Sequence, residues 1–324
     1  MSILVTGATG TIGSLVVQGL AAAGAEVSAF VRTSGKQRFP AGVKEVVGDL
    51  TDVASLRAAL SSVRTLFLLN AVTPDEVTQA LVALNLAREA GIERVVYLSV
   101  IHADKFTNVP HFTGKHTVER MIESLDIPAT ILRPAYFMQN ERMVQQVIQG
   151  YGVYPMPIGS TGVAMIDARD IADVAVAELL RRDRAPAPSP RATLDLVGPE
   201  LLTGASVAKI WSAALGREVT YGGLRRGNGL LDEVGVLAQR TAEHGLQAIR
   251  CAVRTVHAEL LNSRHHQAHV VGKPGWPQRG HLSFEGRHVV SAVSHFATER
   301  GTPDLGHRRS SQPLGPDQLQ RHTR

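Results

Sequence analysis

Gly7, Gly10 and Gly13, evenly spaced in VTGATGTIGS, are residue types at a spacing that could do chemistry. That chemistry is the holding of an anion. A first glycine permits a tight turn, a second lets backbone approach a pyrophosphate, and a third lets a helix pack closely on a sheet. The anion then meets free N–H groups at the positive end of the helix dipole. Thr9, Thr11 and Ile12 lie between these glycines and join the expected contact set. Nineteen residues past Gly13, where an acidic residue would take the ribose hydroxyls of NAD, stands Arg32, with Lys36 and Arg38 close behind. Guanidinium suits a 2′-phosphate, so NADP(H) is the expected cofactor and NAD(H) the alternative. Asp49, in GDLTD, could accept from the adenine amine or simply begin a turn.

A cradle of this kind needs a strand before it and a helix behind it. SILVT (2–6) is a short apolar run, and Ile12, Leu15, Val16 and Leu20 recur at helical spacing up to Gly24. The alternation continues with strands at 26–31, 44–48, 65–70, 94–99 and 129–133 and helices near 52–60, 74–90 and 112–124. Continuous apolar strands separated by helices predict an α/β fold, a Rossmann-like doubly wound parallel sheet. Past Arg133 the pattern loosens into PAYFMQN, a helix through Val147 and a turn-rich run, as a small α/β substrate lobe over the sheet's carboxyl edge would require. A strand at 163–166, a helix at 167–180, a linker (APAPSP, 185–190), a strand at 193–197, a helix at 204–214 and a strand at 217–221 follow. The expected division is residues 1–135 for the dinucleotide domain and 136–223 for the lobe, interleaved with the last sheet elements.

Residues 224–324 have a different texture. Up to Gly223, Lys and Arg number 20 against 21 Asp and Glu; beyond it they number 14 against 8, so the basic excess belongs to the tail. Ten of the 13 histidines lie there, and arginine outnumbers lysine thirteen to one. The tail is expected to be either a partly disordered basic extension or the product of a shifted reading frame. It lacks the interleaved aromatics of a nucleic-acid face, and His265, His266 and His269 have no cysteine or carboxylate partners at metal-ligand spacing, so neither nucleic acid nor metal is expected. A lone cysteine, Cys251, excludes a disulfide framework within the chain. No apolar run reaches membrane-span length and no signal segment is evident, so a cytoplasmic protein without membrane attachment is expected.

The pieces VTGATGTIG (5–13), FVR (30–32), GDL (48–50), VVYLS (95–99), GKHTVER (114–120), ILRPAYFMQN (131–140) and DARDIADVA (167–175) together resemble the NmrA-like group of atypical short-chain dehydrogenase/reductases, over about residues 1–222. The resemblance implies NAD(P)(H) binding and a small lobe closing over the nicotinamide. Members include reductases of quinones and other small molecules, and regulators that bind dinucleotide without turnover. It also gives a role to Lys115, whose counterpart in active relatives reaches the nicotinamide ribose; alone, Lys115 reads as an exposed helix lysine. Leu50, Asn70 and Ser99 complete the cofactor set, Ser99 standing where a catalytic serine or cofactor contact would be.

The standard enzymes of the wider superfamily use Tyr-x-x-x-Lys, in which the lysine lowers the tyrosine pKa for proton exchange. Four residues before Lys115 stands His111 instead. A histidine can move a proton near neutral pH, or it can be a solvated or capping group. Tyr97 reads as a core residue of the fifth strand. Tyr136, Phe137 and Met138 could line an acceptor site, with Tyr154, Met156 and Pro157 covering it, or all could pack the lobe. Asn140 matches the family's asparagine, and Asp167 and Asp170 read as helix-start residues. A quinone suits such a site, because its reduced anion is ring-stabilised and demands position more than acid catalysis. The expected function is hydride transfer from NADPH to a quinone-like or other small conjugated acceptor; the alternative is a non-catalytic dinucleotide-sensing regulator. The expected partners are a small apolar or aromatic substrate and a second copy in a homodimer.

Overall fold

The computed structural model describes residues 2–222; the tail, with Cys251 and the three clustered histidines, lies outside them. Strand β1 (Ser2–Val5) pairs in parallel with β2 (Glu26–Val31) on one side and with β4 (Thr65–Leu68) on the other. Between β1 and β2 runs α1 (Thr11–Ala22); β3 (Lys44–Val47) and α2 (Val53–Leu60) precede β4. Then come α3 (Glu76–Glu89), β5 (Arg94–Leu98), α4 (Pro110–Ser124) and β6 (Ala129–Pro134).

After β6 the chain builds β7 (Tyr136–Phe137), a 3₁₀ helix (Met138–Met143), α5 (Gln145–Tyr151), β8 (Val153–Tyr154) and β9 (Val163–Ile166). It returns through α6 (Ala168–Arg184) to β10 (Ala192–Leu196), then adds β11 (Leu201–Leu202), α7 (Gly204–Leu215) and β12 (Thr220–Tyr221). The main sheet has seven parallel strands in the order β10-β6-β5-β4-β1-β2-β3. Its order reverses between β1 and β4, so the crevice at their carboxyl ends is the switch point where such sheets take ligands. The lobe adds a three-stranded sheet, β11-β9-β7, and the pair β12-β8.

Each face of the sheet has its own core. Ile12, Val16 and Leu20 of α1 share one with Ile171, Ala175 and Leu179 of α6; Leu56, Leu84, Val118 and Ile122 of α2, α3 and α4 pack the other. A third cluster fills the lobe around Met138, Tyr154 and Trp211. Among the described residues, no helix is long and apolar enough to cross a membrane.

Several elements differ from the expected ones. The helix expected through Val147 divides at Val144, where 3₁₀ turns give way to α5. The strand expected at 217–221 is reduced to Thr220–Tyr221. More telling, 185–190 is no free linker. The fully buried Arg182 donates to Thr130 Oγ1 (2.6 Å) and to the carbonyls of Pro128 (3.2 Å), Ser189 (3.1 Å) and Pro190 (2.9 Å). Arg94 adds a bond to the Ala185 carbonyl at 3.1 Å. Two arginines thereby hold the crossover from α6 to β10 and dock the last strand of the sheet.

Truncating Arg182 removes the donor to the buried Thr130 hydroxyl and to three partly buried carbonyls. Arg182→Ala is expected to cost about 3 kcal/mol or more in urea denaturation; a loss below about 1 kcal/mol would show that water replaces the guanidinium.

Candidate functional site

The cradle sits at the switch point. Gly7 has φ +63°, and a Cβ there would stand 2.8 Å from the Leu69 carbonyl oxygen. At Gly13 a Cβ would stand 2.1 Å from the Gly7 carbonyl oxygen, so only glycine lets the helix start this close to the turn. Thr6 holds the turn to the end of β4, donating to the Leu69 carbonyl (2.8 Å) and accepting from the Leu69 N–H (2.8 Å). Gly10 is the N-cap of α1, with no side-chain cap and no acidic residue in the first turn. The first N–H groups and the dipole of this twelve-residue helix thus have neither a capping side chain nor an acidic residue in their own turn. Thr9, Gly10 and Thr11 are exposed there, while Ile12 is in the core and offers only backbone. These residues fit the pyrophosphate of a dinucleotide.

Arg32, at the end of β2, is exposed, as are Lys36 and Arg38 in the following loop. Glu45 ties that loop down, accepting from Ser34 Oγ (2.5 Å) and Gly35 N (3.0 Å). Asp49 Oδ1 accepts from Thr51 N (2.8 Å) and Thr51 Oγ1 (2.7 Å), the turn-forming arrangement. Those bonds, with a lesser contribution from the Arg32 charge, hold its carboxyl below the usual range. Leu50 packs, half-buried, against the core of the α2–α4 face.

Deeper along the crevice, Asn70 Nδ2 donates to the Glu76 carbonyl (2.7 Å), and its Oδ1 has no partner among the described residues. Ser99 donates to Glu119 Oε1 at 2.5 Å, and Glu119 grips Arg133 through both oxygens (2.5 and 3.0 Å). The Ser99 hydroxyl is therefore engaged by a buried ion pair. Lys115 is 5% exposed, not the surface lysine its helix position alone suggests. Its Nζ lies 5.5 Å from the centre of the Tyr97 ring; burial lowers its pKa, and the Glu76 charge opposes that shift. Tyr97 is sealed in the core as expected, its hydroxyl without a partner among the described residues and its pKa driven well up by burial and by the charges of Glu76 and Glu119. It is no substitute for the missing Tyr-x-x-x-Lys tyrosine. His111, in the first turn of α4, has Nδ1 3.2 Å from Glu76 Oε1.

On the lobe side, Tyr136 is half-buried and turns its hydroxyl to Glu141 Oε1 (3.4 Å). Tyr154 donates to the same oxygen (3.0 Å), and Trp211 Nε1 to Oε2 (3.4 Å). Met138, Tyr154 and Met156 are buried in the lobe core, so they pack it rather than present a surface. Phe137 packs against the core of the α1/α6 face, and Asn140 is half-buried. Asp167 caps α6 through Arg169 N (2.8 Å) and pairs with the Arg169 guanidinium. Among the described residues no cluster of three or more His, Cys, Asp or Glu could hold a metal. Sequence reasoning did not single out Glu76, Glu119 or Glu141. An acidic residue in the first turn of a helix reads as a dipole charge, and nothing local marks it as buried.

Burial pushes the Glu141 carboxyl up to about 7 against three hydrogen bonds that favour its charged form. Because the folded value lies above the unfolded one, the folded state holds the extra proton between about pH 4.5 and 7. This contribution is complete below that window and is lost as pH rises through it. Relative to Glu141→Gln, the natural protein is expected to lose up to about 3 kcal/mol across the window, read from denaturant midpoints at stepped pH. A pH-independent difference would contradict the shift.

The NmrA-like family model matches residues 1–235. An NAD(P)H azoreductase of Xenophilus azovorans is 36% identical over 223 residues, covering 68% of this chain and 76% of its own length. Quinone oxidoreductase 2 of Escherichia coli is 28% identical over 225 residues, with coverage of 68% and 76%. Among solved structures, triphenylmethane reductase of Citrobacter sp., complexed with NADP(H), superposes with a TM-score of 0.63 at 25% identity, over 74% of this chain and 87% of that one. An NADPH-dependent quinone oxidoreductase of Escherichia coli, complexed with NADPH, gives 0.63 at 25% identity over 75% and 87%. With the glycine turn, the seven-stranded order and the lobe in place, the chain belongs to the NmrA-like family.

Proposed function

We propose that this protein is an NAD(P)H-dependent oxidoreductase that reduces a small conjugated acceptor of the quinone class. The carrying observation is the uncapped, acid-free start of α1 held against the Gly7 turn, where any side chain at position 13 would collide with backbone. Gly7, Thr9, Gly10, Thr11, Ile12 and Gly13 hold the pyrophosphate, through backbone N–H groups or hydroxyls. Arg32 and Lys36 meet the 2′-phosphate, so NADP(H) is preferred over NAD(H). Asp49 and Leu50 flank the adenosine end; Asn70, Ser99 and Lys115 stand at the nicotinamide end. When bound, the reduced nicotinamide supplies a hydride.

The chain's own part is positional and protic. The Lys115 ammonium, buried and without a hydrogen bond to another side chain among the described residues, is free to donate to a ribose hydroxyl. His111, its side chain 22% exposed, can pass a proton from Nε2 to the oxygen of the reduced acceptor and recover one from water. Tyr136, Phe137 and Asn140 form the lobe edge facing the acceptor, with Met138 behind them. The azoreductase, quinone oxidoreductase and triphenylmethane reductase among its relatives carry names that point to conjugated acceptors. A cytoplasmic location and a homodimeric state belong to the same reading.

A dinucleotide sensor without turnover is the second reading. Its support is the sealed Tyr97 and the engaged Ser99, which leave the standard proton-transfer pair absent.

Loss of reduced-nicotinamide absorbance with a panel of quinones separates the two: tight NADPH binding without turnover would leave only the sensor. Arg32→Ala is expected to weaken NADPH binding roughly tenfold or more while leaving NADH within about twofold, by fluorescence titration. Equal losses for both would remove Arg32 from the 2′-phosphate. Gly13→Ala is expected to abolish binding of either.

A further inference from the structure

Glu76 opens α3 at the carboxyl end of β4, and it is 7% exposed. Its backbone is held at two points: its N–H donates to the Thr73 carbonyl (3.0 Å), and its own carbonyl accepts from Asn70 Nδ2 (2.7 Å). Its carboxylate is then directed at α4. Oε1 lies 3.2 Å from His111 Nδ1, while Oε2 is buried without a partner among the described residues. The two helices come this close at Gly114, where a Cβ would stand 3.0 Å from both Glu76 Oε1 and Val77 Cγ2. Asn70 Oδ1 and the Tyr97 hydroxyl are likewise buried without hydrogen-bond partners among the described residues. Lys115, one residue past Gly114, is the nearby cation whose charge Glu76 supports.

A dipole-stabilising glutamate would stay in water, where its charge costs nothing to solvate. Glu76 is instead desolvated, and one of its oxygens meets a side chain of the candidate site. A carboxylate bonded to one imidazole nitrogen fixes the proton there and defines the role of the other. We propose that Glu76 is the positioning residue of the site: it accepts the Nδ1–H of His111 and so presents Nε2 to the acceptor. The inference rests on the reductase reading for its kinetic consequence, though not for the tautomer itself.

In the reaction so organised, the acceptor takes a hydride from the reduced cofactor and the protonated His111 gives its Nε2 proton to the resulting oxyanion. Water then returns a proton to Nε2. The balance is acceptor plus NADPH plus one proton giving the reduced acceptor and NADP⁺.

The first test needs no cofactor. In the full-length protein, at a pH where imidazole is neutral, long-range nitrogen–proton NMR correlations report each histidine's tautomer, and the His111 signal is the one lost in His111→Asn. The natural protein and Glu76→Gln, which keeps an acceptor oxygen, are expected to show the Nδ1–H form. Glu76→Ala is expected to shift His111 toward the Nε2–H form. Glu76→Asp, whose shorter carboxylate keeps the charge but withdraws from Nδ1, should do the same and serves if the alanine variant does not fold. An unchanged tautomer in both would overturn the proposal.

The second test follows NADPH oxidation with 1,4-naphthoquinone. Glu76→Ala or Glu76→Asp is expected to lower kcat roughly tenfold or more with KM for the quinone within about threefold, and Glu76→Gln to recover most of the loss. Adding His111→Asn to either should cost little further. Losses that multiply would overturn the proposal, since the two residues would then act separately. If the natural protein binds NADPH but turns over no quinone, the reductase reading falls, and the tautomer result alone decides Glu76.

Discussion

A backbone-on-backbone contact governs this molecule. At Gly13 the first turn of α1 runs so close to the Gly7 carbonyl that a side-chain carbon would stand 2.1 Å from its oxygen. Thr6 bonds the same turn to the end of β4, so the helix start is registered against the point where the strand order reverses. With its N-terminus fixed there, α1 turns Ile12, Val16 and Leu20 into the core it shares with α6. The crevice, the helix dipole and one wall of the sheet thus share a single steric origin.

Buried charge does the remaining alignment. Arg182 binds α6 to Thr130 on β6 and to the crossover before β10, and Glu119 on α4 binds Ser99 after β5 and Arg133 on β6. Each ties elements far apart in the chain, and each persists because its hydrogen bonds offset desolvation. In the lobe Glu141 gathers Tyr136, Tyr154 and Trp211 as donors, yet burial outweighs those bonds and raises its pKa to about 7. Glu76 differs from these in having one buried oxygen without a partner among the described residues. A carboxylate so placed belongs to a site rather than to a structural tie.

Legibility in the sequence followed the range of the forces involved. The runs read as strands at 26–31 and 163–166 are β2 and β9 to the residue, because apolar continuity and turn residues act locally. Helix α6 runs past its expected end at 180, because Arg181, Arg182 and Arg184 look like a solvated terminus, yet Arg182 is fully buried. The run APAPSP has a linker's composition, and arginines from two other elements pin it. Val144 gives no sign that 3₁₀ turns meet an α-helix there.

The parallel α/β architecture, the glycine turn ahead of α1 and the basic residues after β2 can be read from the sequence alone, since these rest on glycine sterics, periodicity and residue type within a few positions. Tertiary structure decided what the remaining groups can do. It buried Lys115 over Tyr97, engaged the Ser99 hydroxyl with Glu119, turned the Tyr136 hydroxyl into the lobe, and set Glu76 against His111, thirty-five positions apart. Desolvation and hydrogen-bond partnership belong to pairs of elements brought together by packing, and no local pattern in one element records which side chain of another it will meet.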